Sequence, residues 1–239
     1  MGVWPLETSA VTDGLYLHEQ LMLLALRGKE GTFAHGAMVH HAVGGAILAE
    51  LLLSGRVGIE ELRPRKQLVT AVSSEPMGDE LIDECLVRIV GAKRRRAPAS
   101  WVSAFAGIRG LKDRVAEHLC RRGILEAKED NILLFFTRRV YPESNPEPEQ
   151  ELVAQLSDAI FTDTDDVDPR IVTLVSLASN ANILPAVFDK KRLKGRKTRI
   201  EQLSRGEVTG KATHDAIAAM QAATAVAAMM PAIMASSTS

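Results

Sequence analysis

The sequence predicts a mainly α-helical protein: a helical bundle core wrapped by further helices, with two short β-hairpins, one of which protrudes. Apolar residues make up 46% of the 239-residue chain, which is enough to form a buried core. Residues 15–26 and 38–53 are too uniformly apolar for surface helices, so we expect both helices near the centre of that core. Predicted strands and helices do not alternate regularly along the chain, so the sequence does not predict a parallel sheet.

The remaining elements follow from capping residues and hydrophobic periodicity. Helices are predicted at 78–90, 99–106, 108–122, 149–160, 169–179, 191–203 and 211–230. Residues 56–60 and 67–73 have the β-branched content and alternation of a hairpin. No internal repeat interrupts this order.

A second hairpin is predicted over residues 124–137, with Lys128, Glu129 and Asp130 at its protruding tip. Its second strand is continuously apolar, and a lone hairpin cannot bury both faces of such a strand. We therefore expect three side chains to form an interface with a partner chain or a lipid surface: Leu134, Phe135 and Phe136.

Charge and composition exclude some classes of protein. Twenty-nine Lys and Arg residues nearly balance 30 Asp and Glu residues, which argues against a globally basic nucleic-acid binder. Aromatic residues are only 4% of the chain, too few for a base-stacking platform. Cys85 and Cys120 cannot form a disulfide framework, which favours a reducing, cytoplasmic compartment. The uncharged residues 216–239 read as an alanine-rich buried helix rather than as a membrane anchor.

The motifs that suggest catalysis or metal binding each fail on a named residue. His18-Glu19 resembles the start of a zinc-protease helix, but Met22 stands where the second histidine belongs. Residues 206–212 lack the Ser or Thr of a phosphate loop, and the aspartates of 163–168 lack the glycine of a calcium loop. We therefore expect no enzymatic activity, no cofactor and no metal.

The other titratable candidates have structural explanations. His35 and His40 are five residues apart and cannot share one helix face, so we expect them and His41 to be ordinary exposed or hydrogen-bonded histidines. Glu50 is the lone charge in an apolar helix, and pairing with a base such as Arg56 is favoured over a catalytic role.

Basic residues are the remaining lead. Residues 190–199 hold seven cations and no anion, which predicts a solvated helix face or a surface attracted to phosphate. Arg109, Lys112 and Arg114 are predicted to begin a helix, where Arg109 and Lys112 would share a face because they are three residues apart.

The order of segments resembles the Golgi phosphoprotein 3 family, also known through vacuolar protein sorting protein 74. The resemblance runs from Leu15 to about Leu203, and more weakly to Met230. The segments that carry it are LHEQLMLLAL (17–26), KEG (29–31), GAILAELLLSGRV (45–57), GDELIDECLVRI (78–89), Trp101, RGLKDRVAEHLCRRGIL (109–125) and NILLF (131–135). The lack of a basic N-terminal extension suggests a divergent, bacterial-type member.

The resemblance implies a single domain over residues 15–230, with flexible ends at 1–14 and 231–239. It implies a non-enzymatic peripheral membrane protein, on the cytosolic face of a membrane, that binds phosphatidylinositol 4-phosphate. It also implies a hairpin that can mediate self-association.

Only some of the residues that bind the headgroup in the family have counterparts at the matching positions of this sequence. A pair of basic residues three apart matches Arg109 and Lys112, and we expect these two, together with His35 and Arg114, to bind the lipid headgroup. The family's tryptophan falls at or near His35, and its arginine falls on Gly44. Lysine at position 112 also lacks the bidentate fork of arginine.

Two functions remain open, with a third that is weaker. The first is a peripheral protein that binds anionic phospholipid headgroups. The second is a protein adaptor or homo-oligomer that acts through the hairpin and has lost lipid binding. The third, nucleic-acid binding through residues 190–199, lacks a recognition motif, so we expect no nucleic-acid partner.

Overall fold

The computed structural model describes residues 14–33, 38–63, 66–132 and 136–206. The helices of these residues are α1 (Leu17–Ala25), α2 (Val39–Leu53), α3 (Glu80–Val90), α4 (Pro98–Ala106), α5 (Leu111–Arg121), α6 (Glu147–Phe161), α7 (Pro169–Asn180), α8 (Leu184–Val187), α9 (Lys190–Gly195) and α10 (Lys197–Ser204). The mainly α-helical prediction with short hairpins is confirmed. The helix predicted at 211–230 and the choice between membrane anchor and buried helix at 216–239 lie outside the described residues. Among the described residues, no helix has the length and hydropathy to span a membrane.

Helices α1 and α2 form the centre of the core, as predicted. Every residue of α1 is buried, and α2 is buried continuously from Ala42 to Leu52. The two helices pack on each other, and α7 packs on both. Since α1 and residues 42–52 of α2 are enclosed on all sides, uniform hydrophobicity rather than an amphipathic stripe is the pattern that such a position requires.

The buried carboxylate of Glu50 pairs with a base, as predicted, but that base is Arg170 rather than Arg56. Two nitrogens of the Arg170 guanidinium lie 2.7 and 2.9 Å from the two carboxylate oxygens of Glu50. The carboxylate also accepts the backbone N–H of Leu17 at 2.8 Å. Arg56 pairs instead with Glu75 at the surface. Glu50 thereby links α2, the start of α1 and α7.

The strands of the described residues form three separate antiparallel hairpins. They are β1 (Leu26–Arg27) with β2 (Thr32–Phe33), β3 (Val57–Arg63) with β4 (Lys66–Ala71), and β5 (Lys128–Ile132) with β6 (Phe136–Val140). The β3–β4 hairpin matches the prediction. The short β1–β2 hairpin was not predicted, because two-residue strands leave no periodicity to detect.

The predicted tip of the β5–β6 hairpin is wrong. Lys128, Glu129 and Asp130 lie within β5, where they pair with Val140, Arg139 and Arg138. The antiparallel pairing extends as far as Ile132 and Phe136, so residues 128–130 do not form the turn. A cross-strand charge pair supports this register, since the Asp130 carboxylate accepts hydrogen bonds from the Arg138 guanidinium at 2.7 and 3.0 Å.

The segment after β6 binds the turn between β1 and β2. The backbone N–H groups of Tyr141 and Glu143 donate to the carbonyls of Gly31 and Gly28, both at 2.9 Å. Gly31 has φ of +60°, and a Cβ there would lie 2.2 Å from a backbone nitrogen of the opposite segment. Only glycine allows this close approach.

Glu149, in the first turn of α6, forms a carboxyl pair with Glu143. Burial raises the pKa of Glu149 to about 8, and the hydrogen bond and negative charge of Glu143 act in the same direction. The ordinary value is 4.5. The folded protein therefore holds a proton that the unfolded chain releases over much of the range between these two values.

Glu149→Gln should remove the contribution of the Glu149 carboxyl to the pH dependence of the free energy of unfolding. Between about pH 4.5 and pH 8 the unfolded chain loses this proton before the folded protein does, so the carboxyl's contribution to stability falls as pH rises. Urea unfolding at a series of pH values should show the variant gaining stability relative to wild type toward pH 8. Exposed Glu147→Gln is the control. A difference between variant and wild type that does not change with pH would contradict the prediction.

Candidate functional site

Lys112, Phe33 and His40 lie together at the start of α2 and are here called the Lys112 cluster. The Lys112 Nζ atom lies 4.3 Å from the centroid of the Phe33 ring, a cation–π contact that holds the ammonium group in place. Partial burial and the nearby charge of Lys112 lower the pKa of His40. His40 is therefore neutral near pH 7 and offers a hydrogen bond rather than a charge.

The start of α2 itself favours anions. Its N-cap residue, Met38, provides no side-chain hydrogen bond, and the first turn contains no acidic residue. The first N–H groups of a helix have no intrahelical partner and carry partial positive charge. His40 and His41 occupy this first turn, and His40 lies close to Lys112.

Arg109 lies outside α5, so the predicted helix face shared with Lys112 is wrong. The helix begins at Leu111, and its N-cap Gly110 has a left-handed φ of +67°. Arg109 is exposed in the turn before this cap, and within the described residues its side chain has no ion-pair partner. Because Arg109 lies in a turn and Lys112 in a helix, the three-residue spacing does not place their side chains on one helix face.

Arg114 does not join this cluster. Its guanidinium lies 2.6 Å from the Glu84 carboxylate and 3.5 Å from that of Glu80, both on α3. Lys112 and Arg114 are two residues apart in a helix and therefore point to nearly opposite sides. Arg114 fixes α5 to α3, with its charge already paired.

Several predicted site residues lie outside the described residues. These are His35, Leu134 and Phe135; for Phe136 only its place in β6 is described. Sequence reasoning in turn missed Phe33 and His40 as members of the cluster. The only signal was their nearness in sequence to His35 and His41.

Gly44 cannot carry a headgroup ligand, because α2 and α4 touch at this position. A Cβ atom on Gly44 would lie 2.8 Å from the carbonyl oxygen of Val102 and 3.0 Å from the backbone nitrogen of Ala106. Backbone atoms cannot move away as a side chain can. The family's arginine at the matching position therefore has no counterpart in this fold.

A groove of about 810 Å³ lies between the β1–β2 turn and the β5–β6 hairpin. Charges of both signs surround it, and Phe33 lines it as well as contacting Lys112. The lining residues are Arg27, Lys29, Glu30, Thr32, Phe33, Lys128, Glu129, Asp130, Arg138, Val140 and Pro142. The groove thus borders the Lys112 cluster.

The His18-Glu19 pair belongs to a buried network rather than to a metal site. The His118 Nδ1 atom lies 3.3 Å from a Glu19 carboxylate oxygen and 3.2 Å from one of Asp79. His18, which is 1% exposed, faces the same Asp79 oxygen at 3.7 Å. Burial lowers the pKa of His18, so it is neutral near pH 7. Among the described residues, no group of three or more potential ligands could hold a metal ion.

Asp79 gives this network its structural role. Its Oδ1 atom accepts the N–H groups of Leu81 and Ile82 at 3.0 and 2.8 Å and so caps α3. The other oxygen faces the two histidines at the wall of a recess of about 290 Å³. The network therefore joins α1, α3 and α5.

Comparison with known proteins agrees with this fold. The Golgi phosphoprotein 3 (GPP34) family profile matches residues 17–220. The chain therefore belongs to the Golgi phosphoprotein 3 family. One relative is the vacuolar protein sorting-associated protein 74 of Eremothecium gossypii, which is 27% identical over 139 residues. That match covers 51% of this chain and 42% of the relative, so less than half of the relative's length is represented.

Proposed function

We propose that this protein binds anionic phospholipid headgroups as a peripheral membrane protein, with the site at the start of α2 beside Lys112. The observation that carries the proposal is the placement of Lys112 over Phe33, next to a helix start without acidic residues. Asp113, the nearest acid in sequence, accepts a hydrogen bond from the Tyr141 hydroxyl at 2.9 Å. No ion pair of Lys112 exists within the described part of the chain.

The chemistry of the cluster fits a phosphomonoester. Such a group carries up to two negative charges and several strong acceptor oxygens, and it needs donors that converge from more than one direction. Lys112 supplies a point charge, and the first turn of α2 supplies N–H groups and the neutral His40. Arg109, exposed and unpaired on the turn before α5, supplies the second cation. Phosphatidylinositol 4-phosphate, the lipid implied by the family resemblance, is the headgroup that we propose to test first.

Vesicle flotation tests this proposal. Arg109→Ala and Lys112→Ala should each weaken binding to vesicles containing phosphatidylinositol 4-phosphate by about ten- to hundredfold, as expected for loss of one charged hydrogen bond. Thermal unfolding should change little, because neither side chain is buried in the core.

Arg121→Ala is the matched control, because it removes one exposed arginine from the far end of α5. The control should bind as wild type does. Equal loss in all three variants would contradict the proposal, since net charge rather than the cluster would then control binding. Unchanged binding in the Arg109 and Lys112 variants would contradict it as well.

A second candidate function is a protein adaptor or homo-oligomer that acts through the β5–β6 hairpin. The groove between this hairpin and the β1–β2 turn favours it, because paired charges of both signs suit a protein surface more than a bilayer. In this proposal Leu134, Phe135 and Phe136 form the apolar contact.

Salt distinguishes the two functions. Attraction to phosphate weakens as ionic strength rises, whereas an apolar hairpin interface persists. Light scattering should then show an oligomer that survives high salt and is lost on replacement of Leu134 and Phe135 with serine. A monomer at all salt concentrations, both in wild type and in the variant, would exclude self-association.

A further inference from the structure

The basic residues of 190–199 divide into arginines that hold the fold and lysines that face solvent. The Arg196 Nε atom donates to the Ile160 carbonyl at 2.8 Å, and the Arg199 Nε atom donates to the Ala159 carbonyl at 3.1 Å. These carbonyls belong to the last turn of α6, where the C=O groups have no intrahelical partner. The two arginines therefore cap the C-terminus of α6 by donating hydrogen bonds to these carbonyls.

The third arginine, Arg192, is also used within the protein. Its guanidinium lies 4.2 Å from the Phe161 ring centroid, and that ring meets Phe188 edge to face at 5.4 Å. The contact attaches α9 to the end of α6. Planar guanidinium groups suit both stacking and multiple hydrogen bonds, which explains why arginines occupy these positions.

Three lysines of α9 remain exposed: Lys190, Lys191 and Lys194, here called the lysine surface. They have no ion pair within the described residues. The nearest acid in sequence, Asp189, caps α9 by accepting the N–H of Arg192 at 2.9 Å. Lys197 is left out of this surface, because its Nζ atom lies 3.8 Å from the Glu201 carboxylate.

We propose that the lysine surface makes an electrostatic contact with an anionic phospholipid bilayer, independently of the headgroup site. Lysine is a compact charge on a flexible stem, which suits a diffuse layer of lipid phosphates better than recognition of one planar group. Each lysine near such a surface strengthens binding by about fivefold. Nucleic acid is disfavoured, because no recognition motif surrounds the lysines.

The fold connects the lysine surface to the start of α2. The N–H of Met38 donates to the carbonyl of Ala181 at 3.0 Å. Ala181 ends α7, and α8 and α9 follow directly. Eight residues of chain separate this contact from Lys190, so one short segment links the two regions.

The test uses vesicles of phosphatidylcholine and phosphatidylserine without any phosphoinositide. The triple variant Lys190→Gln, Lys191→Gln, Lys194→Gln should bind about a hundredfold more weakly than wild type at low salt, from about fivefold per lysine. The difference should shrink as salt rises. Thermal unfolding should stay unchanged, because none of the three side chains has a partner in the described residues.

The control removes the same charge elsewhere, with Arg63→Gln, Lys93→Gln and Arg94→Gln, all exposed residues. We expect this control to lose no more than a fewfold. Equal loss in both triple variants would overturn the proposal, as would wild-type binding by the lysine variant. A loss of duplex DNA binding without loss of vesicle binding would overturn it in favour of nucleic acid.

Failure of this proposal is distinguishable from failure of the headgroup site. Arg109→Ala and Lys112→Ala should reduce the extra binding that phosphatidylinositol 4-phosphate provides over phosphatidylserine. The lysine variant should reduce binding to both kinds of vesicle by the same factor and keep that extra binding.

Discussion

Replacing Arg170 with methionine should lower the free energy of unfolding by about 3–5 kcal/mol, the cost of leaving one buried partner of an ion pair alone. The Glu50 carboxylate is 4% exposed and lies near the end of the apolar helix α2. Arg170 satisfies both of its oxygens, at 2.7 and 2.9 Å. Urea unfolding measures the loss.

The double variant Glu50→Gln, Arg170→Met distinguishes two contributions to the lost stability. One is the loss of the ion pair itself, and the other is the cost of leaving the Glu50 carboxylate buried without a partner. Without the arginine, a neutral amide costs much less to bury than a carboxylate does, so the double variant should regain a large part of the stability. An equal or greater loss in the double variant would show that Arg170 stabilises the fold through packing rather than through the charge of Glu50. Arg56→Met, which removes only the surface pair with Glu75, should change stability by about 1 kcal/mol or less.

Gly44→Ala should destabilise the protein by about 1–3 kcal/mol through overpacking. The new Cβ atom would press on backbone atoms of Val102 and Ala106, so α2 and α4 would have to separate. Denaturant unfolding and a structure of the variant would measure the loss and the separation of the helices.

Gly45→Ala is a sharp control, because it is the next residue of the same helix. Its Cβ atom would meet only the Leu177 Cδ2 atom at 3.0 Å, the end of a flexible side chain. Alanine also gains about 1 kcal/mol of helix propensity over glycine. We expect this variant to stay within about 1 kcal/mol of wild type; equal destabilisation of both variants would contradict the close approach of α4 at Gly44.

The close contact at Gly44 also limits which residues can supply a cation to the proposed headgroup site. An arginine at this position, where the family resemblance would put one, is incompatible with the helix crossing. If this chain binds a phosphorylated headgroup, its second cation must come from elsewhere. Arg109, unpaired on the turn before α5, is the residue that we propose.

The sequence alone determined the parts of the fold that depend on local chemistry. Uniform hydrophobicity identified α1 and α2 as the centre, because only an enclosed helix can be apolar on every side. The start of α7 at Pro169 followed from an aspartate before a proline, and the Asp168 carboxylate does accept the N–H of Arg170. Each of these signals lies within a few residues of the element that it predicts.

Tertiary structure decided which residues meet over long distances in sequence. The choice of Arg170 over Arg56 for Glu50 depends on the packing of α7 against α2, 120 residues away. In the β5–β6 hairpin, residues 128–130 belong to a strand rather than to a turn, and the pairing of Asp130 with Arg138 across the strands supports this register. The division of one basic run into structural arginines and exposed lysines depends on where α6 ends, because unpaired carbonyls there attract the guanidinium groups. Hydrophobic patterns in the sequence indicate which residues of a segment are buried and which are exposed. Distant charged residues pair only after the helices have packed and brought them together.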